Sequence, residues 1–181
     1  MSRIVKLYQS ALNKHPFYFQ VAQTGVLMGT GDVFAQTFVE RKSWKEYSFY
    51  RTMSFVTVGT FLVGPVLTRW YVFLQKNFGA GKYAVFKKVA VDQACMAPCL
   101  IAGIITSLGL VQTRPISEIK RQFRNEYKNI LMTNYKLWPF VQLVNFYVVP
   151  LNYQVLVVQL VAIAWNTYLS WKIDESHDKE N

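Results

Sequence analysis

Charge is missing from four long stretches of this chain, and no other feature of the sequence restricts its fold so severely. Between His15 and Glu40 the only ionised side chain is Asp32, and between Arg51 and Arg69 there is none. From Val89 to Thr113 there is only Asp92, and from Leu137 to Trp171 there is again none. A helix needs about 20 apolar residues to cross a hydrocarbon core of about 30 Å, so the first three stretches read as single spans at about 17–39, 52–74 and 89–111. The fourth is too long for one crossing, about 52 Å at 1.5 Å per residue, and too short for two with a turn. Pro139 and Pro150 divide it, because proline lacks a donor and clashes with the preceding turn. Residues 137–149 are therefore expected to form an interfacial or partly embedded segment, and 150–171 the fourth span.

The composition supports hydrocarbon rather than water as the solvent. Of 181 residues, 52% are hydrophobic and 17% charged, against about 25% charged in soluble domains. A water-soluble fold of this size has too few charges to cover its apolar surface, and intrinsic disorder and coiled coil are excluded on the same grounds. Two cysteines exclude a disulfide-stapled scaffold. Aromatic residues favour the headgroup level, and Phe17, Tyr18, Trp44, Tyr47, Trp70, Tyr71, Tyr135, Trp138, Tyr168 and Trp171 lie at or near the span ends. The expected fold is an all-α integral membrane protein with four transmembrane helices and amphipathic interfacial helices. A single membrane domain, 17–171, follows a basic segment, 1–16, and precedes a polar tail, 172–181. Ten Lys and Arg fall on each side of such a bundle, so charge counting assigns no orientation.

The flanking segments are amphipathic. Arg3, Lys6 and Lys14 alternate with Ile4, Tyr8, Ala11 and Leu12 in a stretch without acids, which suits a membrane surface and weakly resembles a retained mitochondrial targeting segment. In the third loop, Ile116, Ile119, Phe123, Tyr127, Ile130 and Leu131 recur at helical spacing while Lys120, Arg121, Arg124 and Lys128 point elsewhere. That pattern reads as an interfacial helix and not as a nucleic-acid reader, which would carry more base-reading donors. The tail from Asp174 to Asn181 is expected to be unstructured.

Each span carries a stripe of small and polar residues. The stripes are Ala22, Gly25, Gly29, Asp32 and Gln36; Thr57, Thr60, Gly64 and Thr68; Asp92, Cys95, Cys99, Gly103 and Thr106; and Asn145, Asn152, Gln159 and Asn166, the last at steps of seven. Such stripes pack helices closely, as Gly25 and Gly29 do in a GxxxG pattern, or line a hydrated passage; both place them inward. Asp32 lies toward the end of its span and Asp92 near the start of its own, and the two spans run in the same direction, so the acids fall in opposite leaflets. An acid deep in a span is rarely left facing lipid, and the expected partners are Arg51 and Arg69 respectively. That separation, about 12 Å along the bilayer normal, opposes an aspartyl-protease dyad despite the short match Gly29-Thr30-Gly31-Asp32, because a dyad needs adjacent carboxylates. No catalytic, cofactor or metal site is expected. His15 and His177 lie near opposite ends, and Cys95 and Cys99 read as packing residues without further metal ligands nearby.

The C-terminal run Leu137-Trp138-Pro139, Gln142, Asn145-Phe146, Val149-Pro150, Trp165 and Tyr168-Leu169-Ser170 closely resembles the signature of the Mpv17/PMP22 family. Gly31-Asp32, Gln36, Arg51, Gly64-Pro65, Trp70-Tyr71, Lys88, Asp92-Gln93 and Pro98 match upstream in order. The resemblance implies a four-span protein of the mitochondrial inner membrane, with the peroxisomal membrane of some relatives as the alternative. It implies a non-selective channel for small solutes or ions, nucleotides among them, that modulates membrane potential and supports mitochondrial DNA maintenance. Gln154 and Thr68 depart from an Arg and a His found in other members, which puts any anion selectivity in doubt. The expected functional polar set is Asp32, Gln36, Arg51, Arg69, Asp92, Gln93, Asn145, Asn152, Gln159 and Asn166. The partners are the lipid bilayer, small solutes, and further copies of the chain where a wider pore is needed; the competing class is a non-conducting scaffold for other membrane components.

Overall fold

A computed structural model describes residues 10, 14–79, 81–148 and 151–178, the side chains of 82, 145, 146, 151–156, 158, 159 and 174–178 excepted. Among these residues the chain is helical, with no strand. Helix α1 is Pro16–Phe34, continued by a π turn at Ala35–Val39. Helix α2 is Phe49–Phe78, α3 runs through Lys82–Val91, Asp92–Met96 and Ala97–Val111, α4 is Ile116–Tyr147 and α5 is Leu151–Asp178. Phe49–Phe78 and Tyr83–Val111 are long and apolar enough to cross a membrane.

The helices form a ring in which α1 packs on α2 and α5, α2 on α3, α3 on α4, and α4 on α5. Successive helices run antiparallel. Gly25 meets Thr60 while Val21 meets Gly64; Tyr50 reaches the Val111 carbonyl while Trp70 reaches Asp92; Ile119 sits on Gly109 while Tyr127 reaches the Pro98 carbonyl. The ring is filled: Phe55, Ile105, Leu108, Ile130, Leu169 and Ile173 are almost wholly buried along its axis. Outside, Val26, Phe38, Phe61, Val72, Phe86 and Leu160 are exposed, an apolar exterior suited to lipid.

Three of the sequence expectations change. Pro139 does not divide the chain, because α4 continues through it as one 32-residue helix. Proline removes one helical hydrogen bond, but packing on both sides, Trp138 against Trp165 and Gln142 on the Tyr71 hydroxyl at 2.9 Å, holds the helix together. The amphipathic third-loop segment is the first half of this helix, and its apolar face packs on α3 instead of lying on a membrane surface. The helix α5 reaches Asp178, well into the segment expected to be unstructured. Helix α4 ends at Tyr147 and α5 begins at Leu151; the division expected at Pro150 falls outside the described residues.

Two prolines act through π turns. At Gly59–Val63 and at Asp92–Met96 the backbone closes five-residue steps, Gly64 N–H to the Gly59 carbonyl and Ala97 N–H to the Asp92 carbonyl. Pro65 and Pro98 follow two residues later in each case. The widened turn makes room for the ring that an ordinary turn would meet as a clash.

Close contact between α1 and α2 rests on glycine. A Cβ at Gly59 would lie 2.8 Å from the Gly25 Cα, and one at Gly64 would lie 2.8 Å from the Val21 Cα. Backbone meets backbone there, which gives the dispersion contact that drives association where hydrocarbon surrounds the helices. Gly59→Leu should lower stability by about 1–3 kcal/mol or more, the range for overpacking. Gly103→Ala, whose Cβ would meet only Leu62 Cδ2 at 3.6 Å, should leave the thermal midpoint of the detergent-solubilised protein unchanged.

Candidate functional site

The polar residues gather into two clusters near opposite ends of the ring. The first is centred on Asp32, which is completely buried. Asp32 and Gln36 are one turn apart on α1, and Glu40 follows the π turn that closes with Glu40 N–H on the Ala35 carbonyl at 2.9 Å. Ser48 caps α2, accepting from Arg51 N–H at 3.2 Å, and this cap aims Arg51 and Thr52 at α1. Arg51 Nε donates to Asp32 Oδ1 at 2.6 Å, and its terminal nitrogens donate to both Glu40 oxygens at 2.9 and 2.6 Å. Nη2 also donates to Ser170 Oγ at 2.9 Å, and Ser170 in turn donates to Asp32 Oδ1 at 2.6 Å.

Asp32 is saturated. Its other oxygen accepts from Gln36 Nε2 at 2.8 Å and Thr52 Oγ1 at 2.5 Å, so four donors fill the four acceptor sites of an ionised carboxylate. Since Thr52 gives its proton to Asp32, the 2.7 Å contact with Tyr47 has the phenol donating. The Gln36 amide also takes the Ser48 N–H at 2.8 Å and donates to the Ser48 carbonyl at 3.1 Å, pairing as a peptide group would. One cluster thus ties α1, α2, α5 and the 40–48 loop together. Just beyond the α1 span, burial works to raise the Glu40 pKa. Hydrogen bonds from Arg51 and Lys42, with their positive charges, outweigh it and hold the carboxyl below its ordinary value of 4.5.

The second cluster is centred on Asp92 and Gln93, on the α3 π turn. Asp92 accepts from Trp70 Nε1 at 2.8 Å and from Gln93 Nε2 at 2.7 Å. Gln93 accepts from Asn134 Nδ2 at 2.9 Å through its side chain and from Tyr135 at 3.1 Å through its carbonyl. The family-signature residues Trp138, Trp165 and Tyr168 pack as an aromatic file toward α4, with ring centroids 6.1 and 5.4 Å apart along it. Arg51 and Trp70 are separated by 19 positions on α2, so the two clusters lie about 28 Å apart, more than the 12 Å expected between the acids.

The Asp32–Arg51 pair is as predicted; the Asp92–Arg69 pair is not. Trp70, about 100° further round α2, takes the position facing Asp92, and Arg69 turns outward with its guanidinium 5.8 Å over the Phe17 ring. The third stripe also faces away from the bundle, since Cys95, Cys99 and Thr106 are exposed. The buried face of α3 is aliphatic instead, formed by Ile101, Ile104, Ile105 and Leu108. Asn166 is buried against the Gly31 backbone as a close helix contact between α5 and α1. Pro139 lies inside α4 and Gln142 bonds Tyr71. The side chains of Asn145, Phe146, Asn152, Gln159 and Gln154, and all of Pro150, lie outside the described residues. Sequence reasoning missed Glu40 and Thr52, and named Tyr47 only as a span-end aromatic and Ser170 only as a signature residue. The Asp32, Gln36, Glu40 spacing of four and four was the available sign for Glu40.

Removing Arg51 leaves two acids without their shared cation. Arg51→Gln should destabilise the detergent-solubilised protein by about 3–5 kcal/mol, the range for breaking a buried pair, read as a large fall in thermal midpoint. Glu40, with its folded pKa below its unfolded one, contributes stability that is complete above about pH 4.5 and lost as the pH falls through the folded value. Glu40→Gln should therefore flatten the acid limb of a stability-against-pH curve and leave the limb near neutrality parallel to wild type.

The Mpv17 / PMP22 family profile matches residues 109–170. Mitochondrial inner membrane protein Mpv17 of Danio rerio is 38% identical over 176 residues, covering 97% of this chain and 99% of the relative. The Mus musculus protein of the same name is 42% identical over 168 residues, 92% of this chain and 96% of the relative. Protein sym-1 of Neurospora crassa is 37% identical over 167 residues, 91% and 95%. No solved structure gives a significant match. Relatives at this identity along nearly the whole length, with a bundle built for hydrocarbon, establish that the chain belongs to the Mpv17/PMP22 family and resides in the mitochondrial inner membrane.

Proposed function

We propose that the protein is a channel for small solutes or ions in the mitochondrial inner membrane. In this reading α1, α2, α3 and α5 are the four hydrophobic spans, and α4 is a fifth, polar-faced helix that borders a water path between copies of the chain. The observation that carries it is the position of α4. Its outer face exposes Lys120, Arg121, Arg124 and Lys128, yet this segment lies beside Pro98–Gly109 of α3, among the most apolar residues of the bundle. The run starts at the end of the bundle, where Gln122 meets the Ile173 carbonyl and Glu126 meets Lys172. It reaches the level of Pro98 at Tyr127 and Lys128, where a charged group is rare except against a water-filled cavity or a partner. The ring itself is filled along its axis, which argues for a path outside it, and the Asp32 and Asp92 clusters serve to hold the helices in register.

Passage of solutes, nucleotides among them, accounts for the influence on membrane potential and the support of mitochondrial DNA maintenance that the family resemblance implies. The filled ring also favours a second reading, a non-conducting scaffold for inner-membrane components. Planar-bilayer recording of the purified full-length chain separates the two. The channel predicts unitary currents and an anion preference, with the reversal potential changing sign in a Lys120→Glu, Arg124→Glu, Lys128→Glu triple variant. Current with an unchanged preference in the variant would remove α4 from the path. Folded protein without current would leave the scaffold.

A further inference from the structure

Arg69 was expected to answer Asp92 and does not. Among the described residues no carboxylate pairs with it; its guanidinium rests over Phe17, at the first turn of α1, which contains no acid. Beside it opens a recess of about 350 Å³ between α2 and α3, lined by Val66, Arg69, Trp70, Phe73 and Met96. Four of these five are apolar or aromatic. The wall is firm: Trp70 and Phe73 stack with centroids 5.3 Å apart at 21°, and the indole is pinned by its hydrogen bond to Asp92.

This is a greasy slot on the outside of a membrane bundle, with one uncompensated cation at its rim. The level is that of the headgroups, since α1 begins at Pro16 and the Trp70-Tyr71 pair marks an aromatic belt. Arginine at such a position reaches for phosphate, and basic pockets between helices take anionic headgroups. We infer that the recess seats an anionic phospholipid, one acyl chain against Val66, Trp70, Phe73 and Met96 and its phosphate on the Arg69 guanidinium. A neutral lipid satisfies the slot and not the charge; inorganic phosphate satisfies the charge and not the slot. The site owes nothing to conduction and is present in a channel or a scaffold alike.

Native mass spectrometry of the detergent-solubilised full-length chain tests it, with dioleoyl phosphatidylglycerol, dioleoyl phosphatidylcholine and inorganic phosphate as probes. The wild type should retain the glycerol lipid about fivefold more than the choline lipid, the increment expected of one basic residue at an anionic headgroup. Arg69→Gln should abolish that preference without reducing choline-lipid retention. Arg69→Lys, which keeps the charge and the packing, should preserve most of it, and Val66→Trp, which fills the slot, should reduce both lipids. Equal retention of the two lipids by wild type, a preference surviving in Arg69→Gln, or no effect of Val66→Trp overturns the assignment. Displacement of the glycerol lipid by inorganic phosphate overturns it in favour of a free-anion site, and loss of lipid on self-association overturns it in favour of a second copy of this chain.

Discussion

A carboxylate with no exposure to solvent, in a bundle whose outside is hydrocarbon, must be neutralised and fully hydrogen-bonded or the fold does not close. Asp32 sets that demand. Arg51 supplies the charge, and Ser170, Thr52 and Gln36 fill the remaining acceptor sites. Because those donors come from three helices, satisfying one side chain fixes where α1, α2 and α5 meet. Lipid provides no hydrophobic drive to bring helices together, so this cluster has an influence on register that an equivalent surface pair in water would lack. Whether a well-packed apolar replacement of the whole network would be more stable is a separate matter; removing a single member is the damaging change.

Near the opposite end, Asp92 is held differently. Among the described residues its hydrogen-bond partners are an indole and an amide and no cation, and through Gln93 it draws in α4 by way of Asn134 and Tyr135. The two arrangements share one backbone device. Gln36 and Asp92 each sit on a π turn, where the extra residue re-aims side chains that a uniform helix would turn away. Between the clusters the helices touch through glycine and aliphatic side chains. The bundle is thus polar at both ends and filled with apolar side chains in the middle.

Much of this was legible because absence of charge is a strong signal: the uncharged stretches coincide with α1, α2, α3 and the greater part of α5. The Asp32–Arg51 pair was legible because both residues fall in one leaflet near the same loop. The failures have physical causes. Leaflet assignment carries no azimuth, so Arg69 and Trp70, adjacent in sequence, could not be ranked as partners for Asp92, and the indole took the position. Polarity does not signal the interior when both sides of a helix are apolar, so the Cys95, Cys99 and Thr106 edge faces out while four aliphatic residues pack inward. The rule that proline interrupts a helix holds for isolated helices, whereas here neighbours on both sides of Pro139 keep α4 continuous. The amphipathic period of α4 was legible, but period alone cannot say whether the apolar face meets lipid or another helix.

The chain carries a net charge of +10, and the structure divides it unequally between inside and outside. The described acids turn toward partners within the molecule. Asp32 and Glu40 meet Arg51, Glu46 meets Ser43, Asp92 meets Trp70, Glu118 meets Arg114 and Glu126 meets Lys172. Many of the basic residues turn the other way, among them Arg69, Lys120, Arg124, Lys128 and Lys136. A protein that uses its acids internally and displays its cations has an exterior complementary to anions, both at the headgroups and along the outer face of α4. The lipid slot at Arg69 and the solute path beside α4 are separate hypotheses about separate places, yet both draw on this one asymmetry. It follows from the acids that are held inside without a cation of their own, since Arg51 serves both Asp32 and Glu40 and Asp92 meets an indole.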